Sequence, residues 1–146
     1  SELQQLTTGG GYYPSWSPDG QYIVYMDGYT NISIVPAAGG TPELLIGTSA
    51  WEAHPDWSPD GKWIAYTSTE AGNRDIWVIA VTGETPIQLT TDSGEDQEPC
   101  WSPDGKQIAF ISDRSGTQLI WLASKLPITV VSTENNNWGS IKSLFK

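Results

Sequence analysis

A chain of 146 residues is long enough for one hydrophobic core, and its 17 acidic and 7 basic residues leave a net charge of −10. That sign repels nucleic-acid phosphates and anionic membrane surfaces, and no apolar run approaches the roughly 18 residues of a membrane span. The single cysteine, Cys100, excludes an internal disulfide, and few Lys and Arg beside eight Trp suit a bacterial protein of the periplasm or the extracellular space.

In chain order, Gln4-Gln5-Leu6-Thr7-Thr8 reads as a strand, because it matches Ile87-Gln88-Leu89-Thr90-Thr91 almost residue for residue. Residues 1–9 are therefore expected to form an outermost strand whose own sheet is absent. The phrase Pro14-Ser15-Trp16-Ser17-Pro18-Asp19-Gly20 follows. It returns as Pro55-Asp56-Trp57-Ser58-Pro59-Asp60-Gly61 and again as Pro99-Cys100-Trp101-Ser102-Pro103-Asp104-Gly105. Ser-Pro-Asp-Gly is turn chemistry: Pro sets φ at the first corner, Asp accepts a backbone hydrogen bond, and Gly takes φ > 0. On this reading Asp19, Asp60 and Asp104 with Gly20, Gly61 and Gly105 are structural, and Trp16, Trp57 and Trp101 pack between sheets.

Each turn is followed by a strand-like run: Gln21–Tyr25, Lys62–Tyr66 and Lys106–Phe110. A further run follows each, at Asn31–Val35, Asp75–Ile79 and Gln118–Leu122, and then a last one at Pro42–Ile46, Pro86–Thr90 and Pro127–Val131. All are short, rich in β-branched and aromatic residues, and bounded by Gly, Asn, Ser or Thr. A period of roughly 40–45 residues built this way is the mark of a β-propeller, one four-stranded blade per repeat. The expectation is an all-β partial propeller with blades at residues 12–47, 53–91 and 97–133. The tail, 134–146, departs from the repeat; the spacing of Trp138, Ile141, Leu144 and Phe145 suits a short amphipathic helix, or a strand.

The pattern Pro-x-Trp-Ser-Pro-Asp-Gly-x-x-Ile-Ala-(Phe/Tyr), then Ser-x-Arg-x-Gly and a strand with Ile-Trp, resembles the TolB-type (WD-like) propeller repeat over residues 4–133. That repeat also occurs in tricorn-like protease propellers and in relatives of prolyl oligopeptidase. The third copy is the most faithful, with Ser112-Asp113-Arg114-Ser115-Gly116; the second has Glu70-Ala71-Gly72-Asn73-Arg74, and the first shortens this surface turn to Asp27-Gly28-Tyr29-Thr30. The resemblance to TolB implies a non-catalytic scaffold that binds a protein or peptide around the channel mouth. The resemblance to the peptidases leaves a second reading: a piece of a propeller accompanying a hydrolase or lyase, gating or positioning its substrate. A stand-alone sugar or small-molecule binder is a third.

Three blades are fewer than the about four to eight that close a propeller. A homodimer about a twofold axis would give a six-bladed ring, with Gln4–Thr8 or the tail exchanged between subunits. Residues just before each phrase Pro would ring one channel mouth: Tyr12, Tyr13, Ala53, His54, Gln97 and Glu98, with Glu95 and Asp96 close by. Aromatic anchors among carboxylates favour a basic or polar peptide-like partner.

Catalysis finds little support. The one histidine, His54, is expected in a loop joining blades, with no Gly-x-Ser-x-Gly elbow and no nucleophile placed beside it. Cys100 stands where the other copies carry Ser15 and Asp56 and reads as an incidental repeat position. Asp92, Glu95, Asp96 and Glu98 could offer oxygen ligands to calcium, but their spacing is not that of an EF-hand, and a solvated acidic loop is the competing reading. No other metal and no cofactor are expected.

Overall fold

The computed structural model describes residues 2–130, and within them every regular element is a strand. The first blade comprises β1 (Tyr12–Trp16), β2 (Tyr22–Asp27), β3 (Asn31–Pro36) and β4 (Glu43–Ile46). The second comprises β5 (Glu52–Trp57), β6 (Trp63–Ser68), β7 (Asp75–Ala80) and β8 (Ile87–Gln88); the third, β9 (Asp96–Trp101), β10 (Ile108–Ser112) and β11 (Leu119–Ala123). Each sheet is an antiparallel meander in chain order. No helix among the described residues is long and apolar enough to cross a membrane.

The turn between the first two strands of each blade is built alike three times. The hydroxyls of Ser17, Ser58 and Ser102 each donate to Oδ1 of Asp19, Asp60 and Asp104 at 2.7 Å. The same Oδ1 accepts the backbone N–H of Gln21, Lys62 or Lys106 at 3.0–3.1 Å. Gly20, Gly61 and Gly105 take φ of 68°, 70° and 68°, which a side chain would strain. The three aspartates are therefore turn residues.

Two cores lie between the sheets. Val24, Ile32, Ile34 and Ile46 of the first blade meet Trp57, Ile64, Tyr66 and Ile79 of the second. Ala65, Ile76 and Val78 of the second meet Trp101, Ile108 and Phe110 of the third. Trp57 and Trp101 thus each pack on the blade before them and are only 5% and 7% exposed. Trp16 departs from the expectation at 59%, because no blade precedes it among the described residues.

Two further expectations change at the ends. Residues 2–9 form no strand. Without a neighbouring strand to pair with, the segment lies over the first blade, where Leu6 and Thr7 face Ile23, Tyr25 and Val35 and the Gln4 amide donates to the Ala38 carbonyl. The fourth run of the third blade also lacks a strand over its described part, 127–130, so this blade has three paired strands. Ile128 and Val130 nonetheless pack on the second core. The tail, 134–146, lies outside the described residues.

Candidate functional site

The three inner strands β1, β5 and β9 carry the same interruption. Tyr13, His54 and Glu98, each followed by Pro, adopt left-handed backbone with φ of 53°, 51° and 56°. The ladder to the next strand shifts register at each point. Such a bulge re-aims the side chain it carries. His54 is therefore inside a strand, at a bulge, and not in a loop joining blades: the ladder resumes on both sides of it, at Ala53 and Asp56.

The bulges converge on one open cleft of about 340 Å³, lined by Tyr13, Pro14, Ser15, His54, Pro55, Asp56, Glu98, Pro99 and Cys100. Tyr13 stands edge-on to His54 with ring centroids 4.3 Å apart, and Trp51 touches the imidazole from another side at 5.6 Å. The Thr67 hydroxyl ties two bulges together, lying 3.4 Å from His54 Nδ1 and accepting the Glu98 backbone N–H at 3.2 Å. Burial holds His54 below its usual pKa, with the nearby Glu98 carboxylate opposing this and Arg74 reinforcing it.

Beneath these side chains runs a belt of hydrogen bonds between blades. Ser15 Oγ donates to Asp56 Oδ1 at 3.0 Å and accepts the Trp57 N–H at 3.3 Å, while Asp56 Oδ2 accepts the Trp101 N–H at 2.7 Å. The residue between phrase Pro and phrase Trp thus binds the next blade's Trp backbone. Cys100 is the third member of that series and is exposed in the cleft. Burial, with the Asp56 charge beside it, pushes its thiol pKa up, away from thiolate reactivity. Sequence reading missed Ser15 and Asp56 as a pair; their equal place in the phrase was the available signal.

The other expected rim residues lie elsewhere. Tyr12 turns to Tyr29, their hydroxyls 3.1 Å apart. Glu95 lies 3.9 Å from Arg74, whose guanidinium also donates to Gln97 Oε1 at 3.4 Å and stacks 5.1 Å from the Trp51 ring. Asp96 is fully buried and paired with Arg114 at 2.6 Å, so it cannot form part of a rim. The acidic segment is thus not simply solvated. Asp92 caps the Gly94 N–H at 2.9 Å, Glu95 and Asp96 face arginines, and Glu98 turns to the cleft. No group of three or more acidic, His or Cys side chains that could hold a metal ion occurs among the described residues.

Known proteins share this architecture. In solved structures the chain resembles the protein assigned as TolB in Agrobacterium tumefaciens (31% identity, TM-score 0.66), covering 70% of this chain and 38% of that one. It resembles TolB of Acinetobacter baumannii at 28% identity and TM-score 0.68, covering 88% and 31%. An oligogalacturonate lyase solved with manganese matches at 20% identity and TM-score 0.61, covering 85% and 38%, a likeness of fold alone. The chain spans about a third of the length of the TolB structures. No curated protein matches it. The family described as the TolB beta propeller domain matches residues 4–138, and with the threefold blade the chain belongs to that family.

Proposed function

We propose that this chain is a non-catalytic propeller scaffold whose bulge cleft binds a protein or peptide partner. The observation that carries the reading is the repeated left-handed bulge, which brings an aromatic ring, an imidazole and a carboxylate from three blades into one cleft. Strained backbone of this kind persists where surrounding structure holds it, and it clusters at binding surfaces. Exposed Tyr13 and Glu98 supply an anchor and a charge, which favours a basic or polar segment. The test is a peptide array of acidic, neutral and basic segments probed with the whole chain and with Tyr13→Ala, His54→Ala and Glu98→Lys. Basic peptides should bind, and Glu98→Lys should slow association most, with the slowing reduced in high salt. Equal binding by all folded variants moves the site off this cleft.

The same reading includes assembly and place. Trp16 on one end sheet and Leu119, Ile120 and Leu122 on the other are exposed, Ile120 to 79%, and such faces are ordinarily covered. We propose that a second copy covers them in a six-bladed ring and that the protein works in a bacterial periplasm or outside the cell. A solution mass of two chains by light scattering is expected; a single-chain mass at micromolar concentration overturns the ring.

A further inference from the structure

The second and third blades share three hydrogen bonds around one turn, and the charge on the side chain at its centre is reversed. In the third, Arg114 N–H donates to Ser112 Oγ, Gly116 N–H to the Asp113 carbonyl, and Asp113 Oδ1 accepts the Glu95 N–H. In the second, Glu70 N–H donates to Ser68 Oγ, Gly72 N–H to the Thr69 carbonyl, and Thr69 Oγ1 accepts the Trp51 N–H. Glu70 therefore occupies the place of Arg114. Strand register completes the correspondence. Asp96 pairs with Ser112 and Phe110 with Trp121 in the third blade; Glu52 pairs with Ser68 and Tyr66 with Trp77 in the second.

In the third blade this arrangement is an arginine cage. The Arg114 guanidinium reaches the fully buried Asp96 at 2.6 Å and lies 5.4 Å from the Phe110 ring and 4.9 Å from the Trp121 ring. Its own side chain stays 23% exposed, so the cage is entered from the surface. The second blade keeps the acid and both rings but has lost the cation. Glu52 is 0% exposed; its Oε1 accepts the neutral Thr48 hydroxyl, and its Oε2 has no partner. Asp96 also leaves one oxygen unpartnered, but its charge is matched by Arg114; no cation pairs with Glu52 among the described residues. The turn's own arginine, Arg74, is spent on Trp51, Glu95 and Gln97. Burial pushes the Glu52 carboxyl up, and Glu70 adds to the rise, as expected for an acid whose counter-charge is missing.

We infer that Glu52 and Glu70, with Tyr66 and Trp77 beside them, form a receptor for one arginine side chain of a second protein. A planar guanidinium fits the requirement: two carboxylates for its N–H groups and aromatic faces for its plane, the chemistry that Arg114 already displays one blade away. None of these four side chains lines the bulge cleft, so the two sites are distinct.

The test uses the whole chain and three probes: a glycine–serine peptide with one central arginine, the same peptide with lysine, and N-acetyl-arginine amide. Binding is followed by the Trp77 indole N–H signal in NMR spectra. The arginine peptide is expected to shift that signal saturably, with the lysine peptide weaker by roughly tenfold. Glu70→Arg should abolish the shift and raise the thermal midpoint by filling the cage from within, and Glu52→Gln should abolish it with the fold retained. Should either variant fail to fold, Glu70→Gln is expected to weaken binding and serves in its place. Equal binding of lysine, binding that survives Glu70→Arg, or no saturable shift overturns the receptor. An amide that binds as tightly as the peptide assigns the cage to a small guanidinium and overturns the protein partner.

Discussion

At the scale of single residues, a non-glycine side chain in left-handed backbone costs on the order of 1–2 kcal/mol, and this chain accepts that cost at Tyr13, His54 and Glu98. Neighbours hold the conformation: Tyr13 and Trp51 on the imidazole, and Thr67 on both His54 and Glu98. His54 gives this a pH signature. Its folded pKa lies below the ordinary 6.5 because burial disfavours the charged ring. As pH falls, the unfolded chain therefore takes the proton first. The contribution is whole above about 6.5 and is lost as pH drops from there through the folded value. His54→Asn keeps a residue that tolerates left-handed backbone and removes the titration. Thermal unfolding between about pH 7 and about pH 5 should show a steeper loss for the parent than for this variant.

At the scale of elements, the blades are joined by apolar packing and by the Ser15–Asp56 belt. Asp56→Ala removes the acceptor for Ser15 Oγ and for the Trp101 N–H. It should cost about 2–3 kcal/mol in chemical denaturation, the range for a hydrogen-bonded charge with a donor left unpaired. The phrase tryptophans offer a sharper comparison, since chemistry and local turn are the same in all three. Trp57→Ala opens the first core and should cost about 3–5 kcal/mol, whereas Trp16→Ala should change stability by about 0.5 kcal/mol or less in the single chain. Equal losses would mean that Trp16 has found cover, and with it that a neighbour occupies the first blade's open face.

At the scale of the whole molecule, the described chain is a stack of three sheets with an exposed face at each end. Leu6 and Thr7 cover part of one of them, over Ile23, Tyr25 and Val35. Deleting residues 1–9 should uncover that apolar surface, lower the thermal midpoint and raise binding of a hydrophobic dye. If a second copy covers the same face, the deletion should also change the mass measured by light scattering. An unchanged midpoint and dye signal would show that the segment adds nothing to the first blade.

Sequence alone determined the repeat, its turns and most of its strands, because these depend on bonds that close over a few residues. Ser17 to Asp19 and Tyr22 N–H to Ser17 Oγ can be read directly from Ser-Pro-Asp-Gly. Burial could not be read so, since it depends on what stands beside a sheet: one phrase gives a buried Trp57 and an exposed Trp16. The leading Leu-Thr segment likewise matches that of the second blade, yet a strand needs a partner ladder, and none adjoins it. The rim residues were located only to within a strand, because a one-residue bulge decides which side chain faces the cleft, and it left Tyr12 and Asp96 outside. Only the tertiary structure gave Glu70 its setting. In sequence it is a change in a surface turn, and only strand register sets it beside a buried Glu52 that has no cation of its own.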